Sequence, residues 1–124
     1  MPAARRILIE RDIDGQIDRD LCYIARVDQA HTIMLAECGI IRQDQAARLL
    51  RAIQQLQRDR FLPVRKQPFT RGLDFAYEDY LIATEGVSVG GVLHTGRSRN
   101  DVNATTLKLR LRQPYLDVDR KSVV

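Results

Sequence analysis

Apolar residues recur at threes and fours from Asp18 onward, and that spacing predicts helices. Leu21, Ile24, Val27, His31, Leu35 and Cys38 fall on one face of a first helix, and Gly39 is placed to end it. Ile40 and Ile41 lead into a second run, in which Ala46, Leu49, Leu50, Ile53 and Leu56 form one apolar stripe. Arg48, Arg51, Gln55 and Arg58 then face water. Two amphipathic helices joined by a short glycine turn predict an αα-hairpin.

Further along, Pro63 and Pro68 bracket a basic loop that ends at Arg71. Asp74 is a candidate cap for a short third helix carrying Tyr77, Leu81 and Ile82, with Gly86 beyond its end. Gly90-Gly91 marks another loop. A fourth helix is expected to start near Asn100 or Asp101 and to run through Val102, Thr106, Leu109 and Arg112, with Pro114 stopping or kinking it. Residues before Asp18 carry little periodicity, and Asp14-Gly15 reads as a turn. No alternating apolar pattern of useful length and no internal repeat appears, so the expected class is all-α.

Composition narrows the possibilities. At 124 residues the chain holds one domain at most. Tyr and Phe number four and three and Trp is missing, so any core is built from aliphatic side chains. The formal charge of +4 comes largely from scattered arginines, without the dense basic stripe and stacking aromatics of a nucleic-acid surface. No apolar run approaches the ~20 residues of a membrane span, and the first nine residues lack a signal-peptide core, so the cytoplasm is the expected compartment. Cys22 and Cys38 read as reduced thiols. On one helix, sixteen residues at ~1.5 Å each put them about 24 Å apart, and a disulfide needs Cα atoms within about 7 Å.

The stretch that carries chemistry is Gly90 to Arg112, GGVLHTGRSRNDVNATTLKLRLR. It is a glycine-flexible loop, loaded with donors, running into a helix start. Free N–H groups and partial positive charge at a helix N-terminus suit a carboxylate or phosphate. His94, Thr95, Arg97, Ser98, Arg99 and Asn100 add side-chain donors suited to a small di- or tricarboxylate, since guanidinium pairs with carboxylate in bidentate fashion. The plainer alternative is a capped helix, with Asn100 or Asp101 as N-cap and solvated arginines.

His94 to Asp101, HTGRSRND, resembles the first signature block of argininosuccinate lyases in the fumarase/aspartase superfamily. That block follows a glycine-containing loop and precedes a helix of the form xATxLxLxLR, to which Ala104 to Arg112 is similar. Upstream, Ala30-His31, Met34-Leu35 and Gly39-Ile40-Ile41 resemble the family's AHxxML helix and turn, and Glu78, Leu81 and Ile82 its ExxL[IL] helix. The resemblance covers residues 18 to 112. It implies the amino-terminal helical domain of the fumarase/aspartase-like fold over residues 1–112, lacking the central helical bundle.

The resemblance also implies a β-elimination of argininosuccinate to arginine and fumarate in a homotetramer, without metal or organic cofactor. Ser98, Arg99 and Asn100 are then the expected substrate-binding residues. Arg97 either grips carboxylate with them or holds the loop in place. His94, Thr95 and Asp101 are expected to shape the loop, and His31 to be a satisfied core or interface histidine. No catalytic proton-transfer residue is assigned within the chain. The partners implied are a small carboxylate substrate and further copies of the chain, with no nucleic acid and no membrane.

Several departures accompany the match. Asp28 stands where many members have Ser, and Asp74 where the family has a His; both imply a divergent branch. The second signature block with its Thr-His pair and the third block with its Ser base have no counterpart. Residues 113–124, QPYLDVDRKSVV, read as an aberrant tail in which the helical pattern dissolves. Their ending resembles a translated sequencing adapter, so the reading frame is expected to be truncated and the piece inactive alone. A non-catalytic protein that associates with full-length lyase subunits is the rival class, and a related lyase with another substrate the rival enzyme.

Overall fold

The computed structural model describes residues 15, 17–67 and 71–122. The described residues are helical, with no strand among them, as the periodicity predicts. A π-helical turn, Ile17–Leu21, leads into α1, Cys22–Glu37. Then come α2 (Gln43–Arg58), the short α3 (Leu62–Arg65), α4 (Leu73–Glu85), the single turn α5 (Val87–Gly90), a 3-10 turn (Gly91–His94) and α6 (Arg99–Ser122).

The hairpin of α1 and α2 forms as expected. Gly39 adopts φ +69°, and Ile40 N–H reaches back to the Leu35 carbonyl at 2.9 Å while Gly39 N–H bonds Ala36, so a left-handed glycine closes the helix end. On α2 the apolar stripe is buried at Ala46, Leu49, Ile53 and Leu56, and its arginines are exposed. On α1 the buried stripe differs from expectation. It comprises Ile24, Ala25, Asp28, Thr32, Leu35 and Ala36; Val27 and His31 are half-buried and Cys38 is exposed. Two polar residues therefore occupy the inner face.

The core joins Leu21 and Ile24 to Leu49, Ile53, Phe61, Tyr77, Leu81, Leu93 and Val102, with the Phe61 and Tyr77 rings edge to face at 6.3 Å. Gly90 is not a loop residue. It ends α5 packed so tightly on α4 that a Cβ would lie 2.6 Å from the Leu81 carbonyl oxygen. Pro63 lies inside α3, so part of the expected basic loop is a helical turn; residues 68–70 lie outside the described residues. Gly72 rather than Asp74 precedes α4, with Asp74 in its first turn.

The largest correction concerns α6. It does not stop at Pro114 but continues to Ser122. Proline removes one N–H, leaving the Arg110 carbonyl without its helical donor. That carbonyl lies on an exposed stretch where water can serve it, and the flanking Leu, Arg and Gln favour helix. The first three turns of α6 engage the body, through buried Val102 and Thr106 and an Arg110–Asp20 ion pair at 3.1 Å. From Arg110 onward every described residue is exposed. Among the described residues, no helix is long and apolar enough to cross a membrane.

Candidate functional site

The donor-rich segment forms one connected structure at the head of α6. Ser98 is its N-cap: the Ser98 hydroxyl accepts from Asn100 N–H at 3.1 Å, and the Asp101 carboxylate accepts from Ser98 N–H at 3.1 Å. This reciprocal pair is a capping box with Asp in the distal position. The cap lies two residues before the earliest position expected from sequence. Asp101 thereby bonds back across the turn that opens the helix.

Three side chains from elsewhere in the fold fasten the preceding loop. Arg97 turns inward and its guanidinium meets Asp28 of α1 at 2.6 Å, with the two side chains 7% and 1% exposed. His94 Nδ1 lies 2.8 Å from the Glu78 carboxylate of α4. His31 of α1 donates through Nε2 to the Thr95 carbonyl at 2.9 Å. Arg97 is thus committed inside the fold, the Thr95 side chain faces solvent, and His31 is a satisfied histidine that holds the loop.

Arg99 is held differently. Its guanidinium lies 3.6 Å from the centre of the Phe75 ring, with Arg71 at 4.4 Å from the same centre. Arg71 also pairs with Asp79 at 2.9 Å. Asn100 is exposed at the second position of α6, with its carboxamide unengaged among the described residues. Alongside, a cleft of about 340 Å³ runs between the π-turn, α1, α4 and α6, lined by Asp20, Asp74, Asn103, Thr106 and Arg110 among others.

Electrostatics set these groups apart from the surface. Burial pushes the Asp28 carboxyl up to about 6, against the pull of Arg97, and the charges of Glu78 and Asp74 add to the rise. Burial likewise raises Asp74, opposed by Arg99. The Tyr77 hydroxyl, buried beside Asp28, is raised well above the ordinary phenol value by desolvation and then by the Asp28 charge. Burial lowers His31, partly countered by its bond to Thr95.

Among the described residues no group of three or more His, Cys, Asp or Glu is placed to hold a metal ion. Cys22 is half-buried, Cys38 exposed, and both are free. Sequence reasoning placed Ser98, Arg99 and Asn100 at a helix start, where they stand together. It did not single out Asp28, Glu78 or Phe75 as loop partners. The capping signal Ser98-x-x-Asp101 was available in the sequence; the contacts to α1 and α4 were not.

The described residues form a helical unit whose loop is fastened by three partners and whose helix head carries an exposed Asn100. Comparison with known proteins makes this more specific. The chain is 30% identical to argininosuccinate lyase 1 of Shouchella clausii over 90% of its own length and 22% of that protein's. It is 40% identical to the argininosuccinate lyase of Methanosarcina mazei over 73% of the chain and 18% of the relative. With the enzyme of Parasynechococcus marenigrum the values are 37%, 90% and 21%. Over this shared stretch the chain belongs to the argininosuccinate lyase family. It spans about a fifth of the length of the curated relatives it matches. No family model and no solved structure matches it.

Proposed function

We propose that this chain is the amino-terminal, substrate-binding part of an argininosuccinate lyase-type enzyme, and that it is inactive on its own. In the whole protein the reaction is a β-elimination that yields arginine and fumarate. A base removes the proton from Cβ, and the adjoining carboxylate takes up the developing charge. Groups preorganised around that charge supply the catalytic gain. Asn100 donates from its carboxamide, and Arg99 contributes a guanidinium already oriented by Phe75. Ser98 contributes through the turn it caps. Thr95, His94 and Asp101 shape the loop.

The observation that carries this reading is the division of labour around Ser98. Arg97, His94 and the Thr95 carbonyl are engaged with the body of the fold, while Asn100 stands exposed beside an oriented Arg99. Self-association follows from the same reading, because the family's sites are shared between subunits and α6 leaves apolar side chains uncovered. The cytoplasm is the expected compartment.

The test is a chimera. Residues 18–112 replace the matching stretch of the Methanosarcina mazei enzyme, and fumarate release from argininosuccinate is followed by absorbance. Activity is expected, and Asn100→Ala should lower kcat about 100-fold or more, as loss of a preorganised donor does. A chimera that assembles but releases no fumarate would overturn the reading.

The rival reading is a non-catalytic chain that associates with complete lyase subunits. It makes the opposite demand: co-purification with such subunits and a change in their rate.

A further inference from the structure

We propose that Asp28 is a positioning residue: by holding the Arg97 guanidinium inside the fold, it sets where Ser98, Arg99 and Asn100 stand at the head of α6. The functional value of that placement rests on the substrate-binding role proposed above, but the placement can be measured without a ligand. Three observations lead to it.

The first is geometric. Arg97 immediately precedes the N-cap Ser98, so fixing its side chain fixes the entry of the chain into α6. The contact, 2.6 Å between side chains 7% and 1% exposed, joins residues 69 apart in sequence. The other two fastenings are more open to water; the His94 and Glu78 side chains are 40% and 20% exposed. Arg97 is the buried anchor of the three.

The second concerns the inner face of α1. Asp28 occupies a position in the buried stripe between Ile24 and Leu35, where an aliphatic side chain would pack in the ordinary way. A carboxylate there must be desolvated. Its ionisation is harder in the fold than in water despite the adjacent guanidinium, with Glu78, Asp74 and Tyr77 also close. A buried ion pair of this kind adds little or no net stability relative to apolar residues of similar size; what it supplies is a single geometry.

The third is the orientation of the donors. With Arg97 drawn inward, the neighbouring Arg99 lies on Phe75 and Asn100 faces solvent. An unanchored Arg97 would let the chain before Ser98 rotate and carry both away from that arrangement.

Amide hydrogen exchange of the 124-residue chain at neutral pH tests the proposal. The readouts are the bonded amides of Arg97, Asn100 and Asp101, compared with Leu49 and Ile53 in α2. In the Asp28→Leu/Arg97→Met double variant the thermal midpoint should stay level or rise. The loop amides should exchange about tenfold faster or more, with α2 unchanged. Asp28→Glu keeps the charge but is one methylene longer, so it should move the resonances of Ser98 to Asp101 and leave those of α2 in place.

Unaltered loop protection in the double variant would overturn the proposal. So would a lowered midpoint with uniformly faster exchange, which marks a pair that only supports the fold. If the double variant does not fold, unmoved Ser98–Asp101 resonances in Asp28→Glu would overturn it equally. The chimera separates the two levels. A loop that loosens in the double variant, beside a parent chimera that assembles but releases no fumarate, would count against the substrate-binding reading and leave the positioning role standing.

Discussion

His31 and Thr95 meet across 64 residues of sequence: the imidazole Nε2 on α1 lies 2.9 Å from the loop carbonyl. A carbonyl oxygen only accepts, so Nε2 carries the proton. His31→Ala should cost about 1 kcal/mol in a denaturant titration, the usual worth of one such bond. It should also speed exchange at Thr95 and Arg97 more than in α2. Because burial holds the folded pKa of His31 below its ordinary 6.5, its share of stability is present above that value and is lost as pH falls through the folded pKa.

Asp28 predicts the opposite trend. Its carboxyl is pushed from 3.8 up to about 6, so the fold binds that proton more tightly than the unfolded chain does. The associated stability is fully present below 3.8 and is lost as pH rises through about 6. The shift corresponds to about 3 kcal/mol. Subtracting the stability profile of Asp28→Asn from that of the parent between pH 4 and 7 should expose this falling limb. A flat difference would refute it. Asp74, also raised by burial, adds a smaller limb of the same sign that both proteins share.

Gly90→Ala should be severe for its size. The added methyl would meet the Leu81 carbonyl oxygen at 2.6 Å and the Ile82 Cα at 2.7 Å, both backbone atoms that cannot rotate aside. A loss of about 1–3 kcal/mol is expected, as in overpacked cores. The loss should fall on α4 and α5 and be visible as faster exchange there. Gly91→Ala, whose nearest neighbour is a Val87 side-chain methyl at 3.4 Å, should be far milder.

The free part of α6 predicts association. Leu107, Leu111, Tyr115 and Val118 are 52%, 56%, 71% and 64% exposed, and they follow one another at helical spacing. Sedimentation velocity should show a coefficient that rises with concentration, and Leu111→Asp with Tyr115→Asp should suppress the rise. A single monomeric species across the whole range would contradict this.

The sequence was most legible where polarity contrast is strongest. On α2, arginines and glutamines alternate with Leu and Ile, and the buried set came out as read apart from half-buried Leu50. On α1 the reading followed apolar residues to Val27 and His31, whereas the inner face holds Asp28 and Thr32. Asp28 is buried because of a partner far along the chain, and local periodicity carries no trace of such a partner. For the same reason Ser98, Arg99 and Asn100 could be placed at a helix start from sequence, while the Arg97 anchor, the Phe75 platform under Arg99 and the Glu78 contact could not. The end of α6 was misread for another reason. Proline was weighed as a stop or a kink, and the helix runs on through it to Ser122; on a solvated helix it removes one bond from a carbonyl that water can satisfy.

The length of α6 has a mechanical consequence. Val102 and Thr106 seat its first turns and Arg110 pairs with Asp20 at 3.1 Å, so the stretch from Leu111 to Ser122 projects about 18 Å from the described body. Whatever packs on that stretch acts first on the seat formed by Val102, Thr106 and Arg110, which lies between it and the turn at Ser98. A load there therefore bears on the packing of α6 against α1 before it reaches the turn at Ser98.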